Sequence, residues 1–205
     1  KVIGLSFRGS SNVEQLIAEA TDSAFEAKVP YAPGGQVSKY FGQAFDKLWG
    51  NGLQAAMQSQ ISAHGDYSVY VTGHSLGGSL AALAAGQIVY LNMKPASGVY
   101  LYTFGEPRTG DQDFATAHDK QNMAASYRVT HMRDMVPHIP PEFMHYRHHA
   151  TEVFYNDDMS ANAKFTVCAG EEDDKCSNSY LDFSIDDHLH YYGHDVSGFG
   201  KNGCT

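Results

Sequence analysis

The run YVTGHSLGGSLAALAAG, residues 70–86, constrains the fold more tightly than any other stretch of this chain. Ser75 lies between Gly73 and Gly77, residues that contribute no side-chain packing and cost backbone entropy, so their presence answers a geometric need. In a Gly-x-Ser-x-Gly elbow a strand turns sharply into a helix, and small neighbours let the hydroxyl of the strained central residue stand clear. The flanks have the required order. Residues 67–72 are β-branched and aromatic, as in a strand, and residues 79–90 are rich in Ala and Leu, as in a helix. A plain glycine-rich turn is the competing reading; the flanks favour a nucleophilic serine.

With 205 residues, 42% of them apolar, the chain suits one domain with a core of its own, and residues 1–205 are read as a single domain. No stretch approaches the roughly eighteen continuous apolar residues that span a bilayer. A formal charge of -9 with only 14 basic residues disfavours nucleic acid and anionic membrane surfaces, which call for a basic patch, and leaves uncharged substrates open. Cys168 and Cys176 bracket the polar stretch CAGEEDDKC at a spacing that suits a short disulfide loop better than a metal pair, which points to an oxidising compartment. Cys204 is left over. Because KVIGLSFRGS reads as a strand from its first residues, further structure is expected before it, with Cys204 paired there; an edge strand at a natural terminus is the alternative.

Along the chain, Val13, Leu16, Ile17, Ala20 and Ala24 recur at helical spacing and predict a short amphipathic helix, which KVPYAPGGQ ends with turn residues. Phe41, Phe45, Leu48, Trp49, Leu53, Met57 and Ile61 predict a long helix over 40–64, bent at Gly50 and Gly52. After the elbow, residues 97–105 read as a strand, 111–124 as a helix and 126–132 as a strand. Such alternation predicts an α/β fold with a mostly parallel sheet covered on both faces. Its ligand loops would lie at the carboxyl ends of the strands, at residues 73–77, 105–110 and 132–137.

A serine hydroxyl is a weak nucleophile and needs a histidine base, itself oriented by a carboxylate. In the α/β-hydrolase arrangement the acid and then the histidine follow the serine in the chain. Asp134, just past the 126–132 strand, is favoured as the acid over Glu106, which is read as a surface carboxylate or loop cap. Eleven histidines compete for the base. His74 is too close in sequence to reach its neighbour's hydroxyl, and His64 and His118 are read as solvated helical residues. His145, His148 and His149, followed by Glu152, offer metal ligands without a recognised zinc pattern and are read as structural, together with His131 and His138. His188, His190 and His194 in DDHLHYYGHD remain, and spacing does not choose among them.

VTGHSLGGSLAAL, FGEPRTGD, YRVTHMRDMVPHIPP and DHLHYYG occur in the order and spacing of the secreted class 3 lipases, a family of fungal triacylglycerol lipases and eukaryotic relatives. The chain resembles that family over nearly its whole length. The resemblance implies an α/β-hydrolase fold with His188 as the base and Asp134 as the acid. FRGSS resembles the family's oxyanion loop, which makes Ser10 one donor to the developing oxyanion. The N–H of Leu76 is the other, as the elbow itself demands. Ser10 also suits a helix N-cap, and the two roles are compatible. Residues 12–25 match the position of the family's helical lid, with an ordinary surface helix as the alternative. Cys168 and Cys176 match a family disulfide. Relatives carry further strands and helices before FRG, so the N-terminal part of the domain is expected to be absent here.

The sequence thus predicts a secreted, extracellular serine carboxylester hydrolase, foremost a triacylglycerol lipase acting at a lipid–water interface. Its site residues are Ser75, Asp134 and His188, with Ser10 and Leu76 as oxyanion donors, and it requires no cofactor and no metal. A phospholipase A1 or a feruloyl or aryl esterase shares fold and triad, and a non-catalytic lipid-binding domain is the reading from another class.

Overall fold

The computed structural model describes residues 1–10 and 27–204; the amphipathic segment read as a lid, residues 12–25, lies outside them. A six-stranded sheet organises the chain in the order β1 (Val2–Phe7), β4 (Ser68–His74), β5 (Val99–Phe104), β6 (Ala125–His131), β7 (Glu152–Tyr155) and β8 (Phe165–Cys168). The first five strands are parallel, and β8 returns antiparallel to β7. This is the α/β layout that alternating strands and helices predicted. The KVPYAPGGQ stretch, read only as a turn, holds most of a small hairpin of β2 (Lys28–Pro30) and β3 (Gln36–Ser38).

One face of the sheet is sealed by helices. Val69 and Val71 of β4, and Val99 and Leu101 of β5, point every second residue into the same core and are fully buried. Against them lies α3 (Leu76–Tyr90), in which residues 77–86 and Ile88 are all buried. Apolar and small nearly all round, this helix sinks between the sheet and α1 (Lys39–Leu48), which contributes Phe41 and Phe45. Ser38 caps α1 by accepting from the Tyr40 N–H at 3.2 Å. The long helix expected over 40–64 breaks where glycine allows it. A π-helical turn, Trp49–Leu53, contains Gly52 at φ 117°, and α2 (Gln54–Ala63) follows with Met57 and Ile61 buried. On the opposite face Tyr70, Tyr100, Tyr102 and Tyr127 stand in adjoining strands, the first pair stacked at 4.6 Å.

α4 (Gln112–Lys120) links β5 to β6 and is capped by Asp111, which accepts from the Phe114 N–H at 2.9 Å. Cys168 at the end of β8 is disulfide-bonded to Cys176, as expected, and Cys204 is exposed and unbonded to either. The loop so closed carries Glu172, which takes a bidentate pair of hydrogen bonds from buried Arg108, both at 2.8 Å. The N–H of His148 and the amide of Asn178 also donate to it, each at 3.0 Å. Burial alone would raise the Glu172 carboxyl; the hydrogen bonds and charge of Arg108 reverse this and hold it well below the usual carboxylate range.

A carboxyl depressed on folding contributes stability above its unfolded value near 4.3, and that contribution fades as pH falls toward the folded value. Glu172→Gln removes the bidentate carboxylate from buried Arg108, leaving it, among the described residues, only Glu142 at 3.7 Å and the Pro140 carbonyl at 3.2 Å, and is expected to cost about 3 kcal/mol at neutral pH. In urea titrations the gap between variant and parent should narrow steadily below about pH 4. A gap that stays constant with pH would remove the ion pair from the account.

Candidate active site

Ser75 sits at the junction of β4 and α3 with φ 60° and ψ -133°, a conformation rare for a residue with a side chain and worth about 1–3 kcal/mol of strain. Its N–H donates to the Phe104 carbonyl at 2.9 Å, which ties the turn to the end of β5. The flanking glycine is required by contact: a Cβ on Gly77 would lie 2.2 Å from the Phe7 carbonyl oxygen at the end of β1. That closeness brings the Arg8-Gly9-Ser10 segment onto the elbow, where a Cβ on Gly9 would lie 3.2 Å from Ser75 Cβ. Ser10 follows Gly9 directly in the chain, and Leu76 supplies one of the first-turn amides of α3.

Asp134 follows β6 in a tight turn, its N–H on the His131 carbonyl at 2.9 Å. Its carboxylate is fully engaged. Nδ1 of His188 lies 2.9 Å from both oxygens, the Tyr191 hydroxyl donates at 2.7 Å, and the Val136 N–H donates at 2.8 Å. Burial pushes the Asp134 carboxyl up, but the charge and hydrogen bond of His188, with Tyr191 and Val136, outweigh it and leave it below its ordinary value. A Cβ on Gly105 would lie 2.6 Å from Asp134 Oδ2 and 2.9 Å from His188 Nδ1, so the loop after β5 backs directly onto this pair.

His188 is carried by α5 (Ile185–Leu189), a five-residue helix capped by Ser184. Ser184 forms a β-bridge with Asp134 and donates its N–H to the Arg133 carbonyl at 2.7 Å. Asp187 accepts from the Arg133 N–H at 3.0 Å, and the His131 ring lies between the Asp187 and Asp157 carbonyls at 3.0 and 2.9 Å. The loops that carry His188 and Asp134 are thus laced together. Ser75, Asp134 and His188 are each about 1% exposed or less. Ser75 Oγ and His188 Nε2 are both buried without a hydrogen-bond partner among the described residues. Of the three late histidines only His188 meets the acid: His190 is half exposed near Asp186, and His194 packs on Phe199.

Two readings from sequence are corrected. Glu106 is no surface group: it is 1% exposed, with the Thr109 hydroxyl 3.0 Å from Oε1 and His149 Nε2 3.3 Å from Oε2. A proline behind it gave no hint of this. His118 is not solvated but buried, stacked on His149 at 4.1 Å and 3.1 Å from the Ser126 hydroxyl. The histidines once weighed as metal ligands face separate partners, His148 the Pro137 carbonyl and His149 Glu106, while His145 lies exposed in a left-handed turn. Sequence reasoning missed Tyr191, whose only signal is an aromatic residue three positions after His188.

The Lipase (class 3) family model matches residues 4–144. A Caenorhabditis elegans lipase is 35% identical over 98% of this chain and 65% of its own length. The secreted mono- and diacylglycerol lipase 1 of Fusarium solani is 34% identical over 94% of this chain and 56% of its own. The solved triacylglyceride lipase of Rhizomucor miehei superposes with a TM-score of 0.84 at 34% identity, over 94% of this chain and 71% of that one. This chain therefore spans between about half and two thirds of the curated relatives it matches.

The tight contact at Gly77 makes a direct expectation. Gly77→Ala forces the β1 carbonyl and the α3 N-terminus apart, with an expected loss of about 1–3 kcal/mol from overpacking, read from the urea midpoint. Gly50→Ala, at a position with nothing within 4 Å, should lose no stability from overpacking. Equal losses in the two variants would contradict the close packing of the elbow.

Proposed function

Because the chain belongs to the class 3 lipase family, we propose that it is a serine carboxylester hydrolase that cleaves fatty-acid esters of glycerol at a lipid–water interface. One observation carries the reading: His188 is gripped through Nδ1 by Asp134, while its Nε2 and the Ser75 hydroxyl are both buried and unpartnered among the described residues. Nε2 is then free to take a proton, and Asp134 fixes the tautomer that leaves it so. The names of the relatives support glycerol esters as the substrate class, and the word secreted in one of them, with the disulfide, supports an extracellular setting.

In this reading Ser75 Oγ attacks the ester carbonyl carbon as His188 Nε2 takes the hydroxyl proton. The tetrahedral oxyanion is received by the amide of Leu76 and by Ser10, the residue after Gly9, whose close approach to Ser75 supports this reading. Collapse breaks the C–O bond, and the departing alcohol leaves with the proton from His188. A water molecule then gives a proton to His188 and attacks the acyl carbon; collapse releases the fatty acid and restores Ser75. Throughout, the positive charge formed on the imidazole faces the Asp134 carboxylate.

Ser75→Ala and His188→Ala are each expected to lower hydrolysis of a soluble p-nitrophenyl ester about 10⁴-fold or more, with little further loss in the double variant. Ser75→Ala should also abolish labelling by a fluorophosphonate. Asp134→Asn should cost far more activity than Glu106→Gln, because only the former strands the base in the wrong tautomer. Near-normal turnover in Ser75→Ala, or the opposite ranking of the two acids, would refute the assignment. Hydrolysis of emulsified triglyceride alongside the soluble ester separates a lipase from an esterase.

A further inference from the structure

His74 has no part in the acyl-transfer steps, yet among the described residues its ring packs directly on that of the base. Its imidazole stacks on that of His188 with centroids 4.4 Å apart and planes inclined by 27°. Its Nε2 lies 2.8 Å from the main-chain carbonyl of His188. A carbonyl oxygen only accepts, so the proton of His74 resides on Nε2. Tyr191 closes the arrangement, its ring edge-on to His74 at 5.5 Å while its hydroxyl donates to Asp134.

The two histidines differ in how firmly the chain holds them. His74 is the last residue of β4, in register with Phe104 in the middle of the sheet. His188 rides on a five-residue helix, which is too short to persist by its own hydrogen bonds. We propose that His74 is a positioning residue: as the neutral Nε2–H form it ties the main chain of the base to the central sheet and seats the face of its imidazole. This rests on the assignment of His188 as the base of an ester hydrolase.

The surroundings favour the neutral form. Around His74 stand His188, Asp134 and Tyr191 on the side of the base, with His131 across the Tyr191 ring at 5.6 Å. Arg8 and Lys201 share with it the wall of a 710 Å³ cavity. Burial lowers the His74 ring to about 4, and charge on His188 acts in the same direction. It therefore stays uncharged above about pH 4. Only below about pH 4 would the His74 ring itself carry a charge beside the base.

The test is kcat and KM for a soluble short-chain ester from about pH 4 to 8, for the parent and three variants, with melting temperatures recorded. His74→Phe keeps a flat ring and removes the donor. Its kcat should fall about tenfold with KM within about twofold, and its acid limb should lack the extra ionisation near pH 4 expected of the parent. His74→Gln and His74→Met have similar shape and differ in the N–H; Gln should exceed Met in kcat by about fivefold or more. This pair decides the matter even if the Phe variant does not fold. A Phe variant within twofold of an active parent, or Gln and Met equal to each other, would overturn the positioning role alone. A parent that neither hydrolyses ester nor reacts with a fluorophosphonate would overturn the functional reading and this proposal together.

Discussion

The structure depends on one strained peptide. Holding Ser75 at φ 60° requires that β4 end and α3 begin within a single residue, and the neighbouring chain must leave room for that turn. The room comes from missing side chains. The end of β1 approaches Gly77 so closely that any Cβ there would overlap the Phe7 carbonyl, and the loop after β5 approaches Asp134 and His188 through Gly105. Three adjacent strand ends therefore converge on one point, and the order β1-β4-β5 follows from that convergence as much as from the hydrophobic core.

Beneath the elbow lies a second, polar layer that the core composition hides. Glu106, packed under Gly78, meets the Thr109 hydroxyl, which lies 2.9 Å from Ser79 in the first turns of α3. His149 reaches the other carboxylate oxygen and stacks on His118, which meets Ser126 in β6. A buried carboxylate is tolerated only when its oxygens are hydrogen-bonded, and here the partners come from several elements. The network locks the register of the nucleophile helix against β6 without touching the Ser75 hydroxyl.

What the sequence made legible divides along a physical line. Local patterns carried well: the β-branched run before Gly73, the Ala-rich helix after it, the bend at Gly52 and the loop between cysteines eight positions apart all depend on neighbours in the chain. Elbow chemistry and chain order singled out Ser75 and Asp134; family resemblance alone set His188 apart from the other two late histidines, and it is the one that meets Asp134. β8 escaped notice because Phe165 and Val167 are exposed on an edge strand, so no clean alternation marks it, and β7 because it is only four residues long and one of its two buried positions is the charged Glu152. Glu106 and His118 were misjudged for a related reason: their burial is set by partners more than thirty residues away, His149 in both cases, and no local pattern records such a partner. Tyr191 and the placement of His74 against the base belong to the same class.

The order in which the site's parts occur along the chain has a consequence for biosynthesis. The elbow is complete by Tyr90 and the acid appears at Asp134, but the base lies 54 positions further on, near the end of the sequence. A chain growing from its N-terminus thus displays the serine and the carboxylate while the imidazole is still unmade, and α5, too short to stand alone, takes its place only against an existing Asp134 turn. Of the three side chains that the proposed mechanism uses, the imidazole of His188 is thus the last to be made.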